Sequence, residues 1–112
     1  MAQVFWNLSL NAIQAMPNEG VLTISSGKSS NKRFNSNSIE KEWIEIVFKD
    51  TGEGIDNNYV DKIFLPFFTT KESGSGLGLS IVHRIIEEHG GRINVTSKPG
   101  KGTQFTLYIP VE

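Results

Sequence analysis

The sequence predicts a two-layer fold with helices packed on one face of a mixed, mainly antiparallel sheet. Two segments repeat apolar residues at helical spacing, and four short segments alternate or cluster β-branched and aromatic residues. Their order is helix, strand, strand, helix, strand, strand, so the strands come in sequential pairs that hairpins can join. With 112 residues the chain reads as one domain, 1–112. That length buries roughly two thirds of the surface an unfolded chain exposes.

MAQVFWNLSLNAIQAMP opens as a helix: Val4, Phe5, Leu8, Ala12 and Ala15 recur at three and four, and Pro17 and Gly20 close it. Asn7, Asn11 and Gln14 form a second stripe. VLTISS alternates as a strand, and GKSSNKRFNSNS, rich in Ser and Asn, is expected to be a mobile hairpin connection. EWIEIVFKD returns as a strand that ends at Asp50 in the turn DTGEGID. A short helix is expected over Asn57 to Phe64. Leu65 to Gly78 keeps no period, which in a small domain marks a functional loop. LGLSIVHRIIEEHGG is a second helix through Leu79, Val82, Ile85 and Ile86, stopped by Gly90 and Gly91. GRINVTSK and TQFTLYIP, joined by PGKG, form the closing hairpin.

Composition removes several function classes. A net charge of −1 offers no electrostatic footprint for nucleic acid or an anionic membrane surface, so neither is an expected partner. The chain has no cysteine, which excludes disulfides and thiolate metal sites. No apolar stretch is long enough to span a bilayer and no signal-peptide pattern is present, so the domain reads as cytoplasmic, whether or not its parent protein is membrane-anchored.

GSGLGLSIVH sets glycines at 74, 76 and 78 just before a helix, where backbone N–H groups and the helix dipole can meet an anion. The dinucleotide fingerprint would need glycine at 79, where Leu79 stands, and no βαβ unit surrounds it. Gly27, Lys28 and Ser29 imitate the end of a P-loop, but Leu22 occupies the earlier glycine position and no apolar helix follows, so the triplet reads as loop. A glycine cluster alone is also compatible with a plain hinge.

Four signals in fixed order decide between these readings: Asn7 with Asn11, DTGEGI, FLPFFTTK, and GSGLGLSIVH, followed by PGKGTQFTLYIP. Together they resemble the ATP-binding catalytic domain of sensor histidine kinases, within the gyrase, Hsp90, histidine kinase and MutL superfamily. The likeness spans essentially the whole chain, and NAIQAMP and FFTTKESGSGLGLSIV look most like the nitrogen-regulation type. It implies an α/β sandwich of the Bergerat fold. It also implies binding of ATP or ADP with Mg²⁺, and transfer of the γ-phosphoryl group to a histidine on a separate dimerisation and phosphoacceptor domain. A response regulator would be an indirect partner.

Asn7 and Asn11 share one helix face, so both can project into a single site. By the resemblance Asn11 is the metal ligand and Asn7 contacts phosphate oxygens or metal-bound water, with Lys71 as a third catalytic residue. Mg²⁺ takes one or two protein oxygens and completes its shell with water and phosphates, so an amide oxygen suffices. Hydrolysing relatives carry a glutamate as general base at the place of Asn7. An amide cannot accept that proton at neutral pH, so the departure points to transfer rather than hydrolysis. Gln14 replaces a basic residue found in many sensor kinases.

The same likeness makes the Asp50 carboxylate the acceptor for the adenine amine, with Gly52 and Gly54 bringing backbone close to the ring and Ile55 beside them. A carboxylate facing a two-hydrogen donor discriminates adenine from guanine, whose carbonyl would oppose it. Thr103 reaches adenine through water. Phe64, Phe67 and Phe68 open a lid in which Thr69, Thr70 and Lys71 face phosphates or the partner domain. Gly74, Gly76, Leu77, Gly78 and Leu79 complete it and start the helix that cradles the β- and γ-phosphates.

His83 and His89 read as structural, since neither is followed by the Glu and Pro pattern of a phosphoacceptor and no phosphoacceptor helix pair is present. Two alternatives share parts of this pattern: a serine kinase of the anti-sigma-factor kind, and a non-enzymatic nucleotide-sensing module. Family members carry a strand before the asparagine helix. The chain is therefore expected to be a fragment lacking an edge strand, with a weakened sheet edge and a tendency to self-associate there.

Overall fold

Every second residue of the central strands is apolar and faces the same way, and that alternation decides where the helices sit. The computed structural model describes residues 2–32, 41–66, 68 and 78–111. Its elements are α1 (Ala2–Gln14), β1 (Leu22–Lys32), β2 (Lys41–Asp50), a 3₁₀ turn (Val60–Lys62), α2 (Gly78–Glu88), β3 (Arg92–Lys98) and β4 (Gly102–Pro110). The strands lie in the order β1-β2-β4-β3. All three pairings are antiparallel, so the parallel component of the expected mixed sheet is not found among the described residues.

Register builds the core. Phe48 of β2 stands opposite Phe105 of β4, Ile46 opposite Leu107, and Val95 and Ile93 of β3 flank the same pair. Onto this face α1 lays Val4 and Leu8 and α2 lays Val82 and Ile86, all fully buried, with Ile63 closing one end. The spacing i, i+4 puts each helix's buried residues on one stripe. Phe5 meets the Phe48 ring edge-on, with centroids 5.2 Å apart. The α/β sandwich expected from the sequence is therefore present: a four-stranded sheet with two helices on one face.

Local chemistry explains the boundaries. The helix α2 ends in a Schellman motif: Gly91 N–H donates to the Ile86 carbonyl and Gly90 N–H to that of Glu87, with Gly90 at φ 74°. The His89 ring nitrogen lies 2.8 Å from the Ile85 carbonyl, and His83 sits 3.2 Å from Glu87 and stacks on Phe64. Both contacts agree with structural roles for these histidines. The β3–β4 turn closes with Lys101 N–H on the Lys98 carbonyl, Pro99 and positive-φ Gly100 occupying the central positions that a type II turn favours.

Two expectations change. Gly27, Lys28 and Ser29, expected in a loop, are strand residues opposite Glu45, Ile44 and Trp43. From Thr23 to Lys28 the strand is exposed and has a strand neighbour on one side only, so polar residues there lose no hydration, and the strongly strand-forming β2 supplies the ladder. The helix expected over Asn57 to Phe64 shrinks to the 3₁₀ turn, because the Asp56 carboxylate takes the Asn58 N–H at 2.8 Å and fixes a turn first. Leu107→Ala should cost about 2–5 kcal/mol in urea denaturation, against under about 1.5 kcal/mol for Ile24→Ala on the exposed strand.

Candidate functional site

The turn after β2 is where three separate parts of the chain meet. Asp50, the last residue of β2, is buried, and its Oδ1 accepts two backbone N–H bonds: from Gly52 at 2.9 Å and from Thr103, early in β4, at 3.2 Å. One carboxylate oxygen thus holds both its own turn and the neighbouring strand. Neither of these bonds uses the other oxygen, Oδ2.

The turn is clamped from both sides. Glu53 N–H donates to the Ala15 carbonyl at the end of α1, at 3.1 Å, while the Glu53 carbonyl accepts from Gly100 N–H at 2.7 Å. Ile55 N–H donates to Ser97 Oγ of β3 at 2.7 Å. These contacts give Gly52 and Gly54 a second reason to be glycine besides the ligand approach expected from the sequence. A Cβ on Gly52 would sit 2.6 Å from the Ala15 carbonyl oxygen, and one on Gly54, at φ 75°, would run into the Lys98 carbonyl. Thr51 adds a lateral tie, its Oγ1 accepting Val21 N–H at 3.0 Å.

Helix α1, which carries the two asparagines, is tied to the same turn through Ala15. Ala15 N–H donates to the Asn11 carbonyl, so Asn11 lies one helical turn from the residue that holds the turn. One turn earlier, Asn7 Nδ2 donates to the Gly78 carbonyl at 3.3 Å, at the start of α2. Hydrogen bonds thus link the helix that carries Asn7 and Asn11 to the start of α2 and, through Ala15 and Glu53, to the turn that Asp50 anchors. Oxygen donors from one helix, the N–H groups of another helix's first turn and a buried carboxylate oxygen are a set suited to a phosphorylated, amine-bearing ligand with a hard cation.

The remaining predicted residues divide. Ile55 and Leu79 are half-buried and pack on the core, so their side chains support the site from beneath. Phe64 lies tilted against the His83 ring and meets Phe105 edge-on, and Phe68 lies against Tyr59. Phe67, Thr69, Thr70, Lys71, Gly74, Gly76 and Leu77 lie outside the described residues. Gln14 is exposed. Sequence reasoning missed Ser97 and the Ala15 carbonyl. A signal for Ser97 existed: it continues the inward stripe of Ile93 and Val95, where a hydroxyl needs a partner, and it pairs with Thr103. No comparable signal marks a backbone carbonyl.

Comparisons with known proteins identify the family. Residues 1–112 match the family described as histidine kinase-, DNA gyrase B- and HSP90-like ATPase, and the chain belongs to that family. It is 44% identical over 111 residues to the sensor histidine kinase ZraS of Escherichia coli strain K12, covering 99% of this chain and 22% of that protein. The chain thus spans about a fifth of the length of that relative. Among solved structures, a nucleotide-free catalytic domain of the histidine kinase ThkA is similar at TM-score 0.72 and 37% identity, over 96% of this chain and 64% of that one. Full-length ShkA in complex with AMPPNP gives TM-score 0.72 at 28% identity, over 96% of this chain and 20% of that one.

Gly54 and Gly100 have nearly the same backbone, φ 75° and 78°, but a Cβ on Gly100 meets open space. Gly100→Ala should cost about 1–2 kcal/mol from the backbone conformation alone. Gly54→Ala should cost clearly more in the same denaturant titration, because it also displaces the Lys98 carbonyl.

Proposed function

We propose that this domain binds Mg-ATP and presents the γ-phosphoryl group to a histidine on a separate dimerisation and phosphoacceptor domain of a two-component sensor kinase. The observation that carries the reading is the Asp50 carboxylate. It is buried, with one oxygen spent on two backbone donors, which supports assigning the other as the acceptor for the ligand. An acceptor so placed suits the exocyclic amine of adenine and opposes the carbonyl of guanine. The AMPPNP bound by ShkA supports an adenine nucleotide as the ligand class.

The residues present fit a bound magnesium ion. Asn11 would supply an amide oxygen to the ion, and Asn7, whose amide N–H donates to the Gly78 carbonyl, would meet phosphate oxygens or metal-bound water from the same helix. Asn11 is the proposed metal ligand, and magnesium would neutralise charge on the phosphates. Among the described residues no cluster of His, Asp and Glu suits a different metal centre.

In the transfer, a ring nitrogen of the acceptor histidine forms a bond to the γ-phosphorus. The bond from that phosphorus to the bridging oxygen breaks, and ADP leaves with the electron pair. This chain contributes position and charge neutralisation rather than a covalent step. Asn7 cannot act as a base toward water, which preserves ATP until the histidine arrives. The same reading assigns Thr70, Lys71 and the glycines at 74, 76 and 78 to the phosphates. Within the family it places the chain near the nitrogen-regulation type, on NAIQAMP and FFTTKESGSGLGLSIV. It also places the domain in the cytoplasm, where ATP is abundant; no described helix is long and apolar enough to cross a membrane.

Incubation with labelled ATP and a panel of separately supplied phosphoacceptor domains tests the proposal. Wild type should give an acid-labile product. Asp50→Asn keeps the acceptor for Gly52 and Thr103 but turns an N–H₂ toward the purine, so labelling at subsaturating ATP should fall about tenfold or more with the fold intact. An acid-stable product would instead indicate serine phosphorylation, and no labelling with any acceptor would count against transfer.

A further inference from the structure

Ser97 Oγ stands at the centre of three polar contacts. Ile55 N–H approaches at 2.7 Å, the Gly102 carbonyl lies at 3.1 Å, and Thr103 Oγ1 lies at 2.8 Å. A serine hydroxyl owns one proton and two lone pairs. Ile55 N–H can only donate, so it occupies one lone pair. The Gly102 carbonyl can only accept, so it takes the proton. For the third contact to be a hydrogen bond as well, Thr103 must donate its own hydroxyl proton to the remaining lone pair. Only that assignment makes all three contacts hydrogen bonds at once.

The consequence falls on the far side of Thr103. With its proton committed to Ser97, Thr103 Oγ1 offers only lone pairs elsewhere. The Thr103 backbone N–H meanwhile donates to Asp50 Oδ1, so that oxygen, its hydroxyl and the Asp50 carboxylate belong to one buried cluster. The cluster presents two kinds of acceptor, carboxylate and hydroxyl, and no donor.

The geometry points to Ser97 as a positioning residue that sharpens purine selectivity by fixing the direction of the Thr103 hydroxyl. This inference rests on the reading of the site as an ATP pocket. An exocyclic amine brings two protons, and a cluster with acceptors only receives it, directly or through water. Hypoxanthine places a carbonyl at that position and meets no donor. Without the Ser97 hydroxyl, Thr103 can rotate and donate, and the site then tolerates the carbonyl. Selectivity would thereby depend on a side chain that touches no part of the nucleotide.

The test compares the affinities of Mg-ATP and Mg-ITP, measured by titration calorimetry on the whole chain. Ser97→Ala should lower the ATP-to-ITP affinity ratio by about tenfold, mainly by improving the relative binding of ITP. Ser97→Thr, which retains the hydroxyl, should restore the ratio. In a Thr103→Val background the Ser97→Ala effect on the ratio should vanish, because no hydroxyl remains to be directed. If Ser97→Ala weakens both nucleotides equally, or changes the ratio just as much in Thr103→Val, Ser97 serves only to tie the 54–55 turn to β3 and the inference fails. Wild type that binds ITP as well as ATP also overturns it while leaving nucleotide binding in place. Wild type that binds neither overturns the ATP reading and this inference together.

Discussion

The structure depends on a turn that cannot relax. Residues 50–55 leave the sheet between the end of α1 and the β3–β4 hairpin, and backbone bonds from both neighbours and from the Asp50 carboxylate hold them. The two glycines are consequences of that confinement. Side chains at 52 or 54 would collide with the Ala15 and Lys98 carbonyls before any ligand was considered. A carboxylate fixed this way spends one oxygen on the fold, and the proposed function gives the other to recognition.

Confinement of the turn in turn requires the core to be where it is. Val4 and Leu8 anchor α1 on Phe48 and Leu107, and that docking carries Ala15 to the turn and the two asparagines to its side. The α2 stripe of Val82 and Ile86 brings Gly78 to within hydrogen-bond distance of Asn7. Packing on one face of the sheet thus assembles the polar groups at one end of the helices. The contacts that set their positions are made within the protein, which is the preorganisation that the proposed positioning role needs.

Much of this was legible in the sequence because it rests on short-range pattern. The i, i+4 stripe of Val4, Leu8 and Ala12 announces α1 and, by the same arithmetic, puts Asn7 and Asn11 on one face. Gly90 and Gly91 announce the end of α2, and PGKG announces a hairpin. What the sequence hid is set by long-range partners. Gly27 to Ser29 read as loop on composition, yet pair with β2 because an exposed edge strand tolerates polar residues. Over residues 57–64 the Asp56 side chain fixes a turn through a single bond, and only a 3₁₀ turn forms there. Ser97 continues the inward stripe of β3, but its partners are set by register and by the 54–55 turn, which bring it Thr103 and the Ile55 N–H.

Amide hydrogen exchange in the nucleotide-free protein addresses the confinement of this turn most directly. The amides of Gly52, Glu53, Ile55 and Thr103 should be protected as a group and open together, as expected of one cooperative unit. Exchange of Gly52, Glu53 and Ile55 at unstructured-chain rates, while the β4 amides stay protected, would contradict the account, since Asp50 would then be an acceptor held by nothing until a ligand arrived.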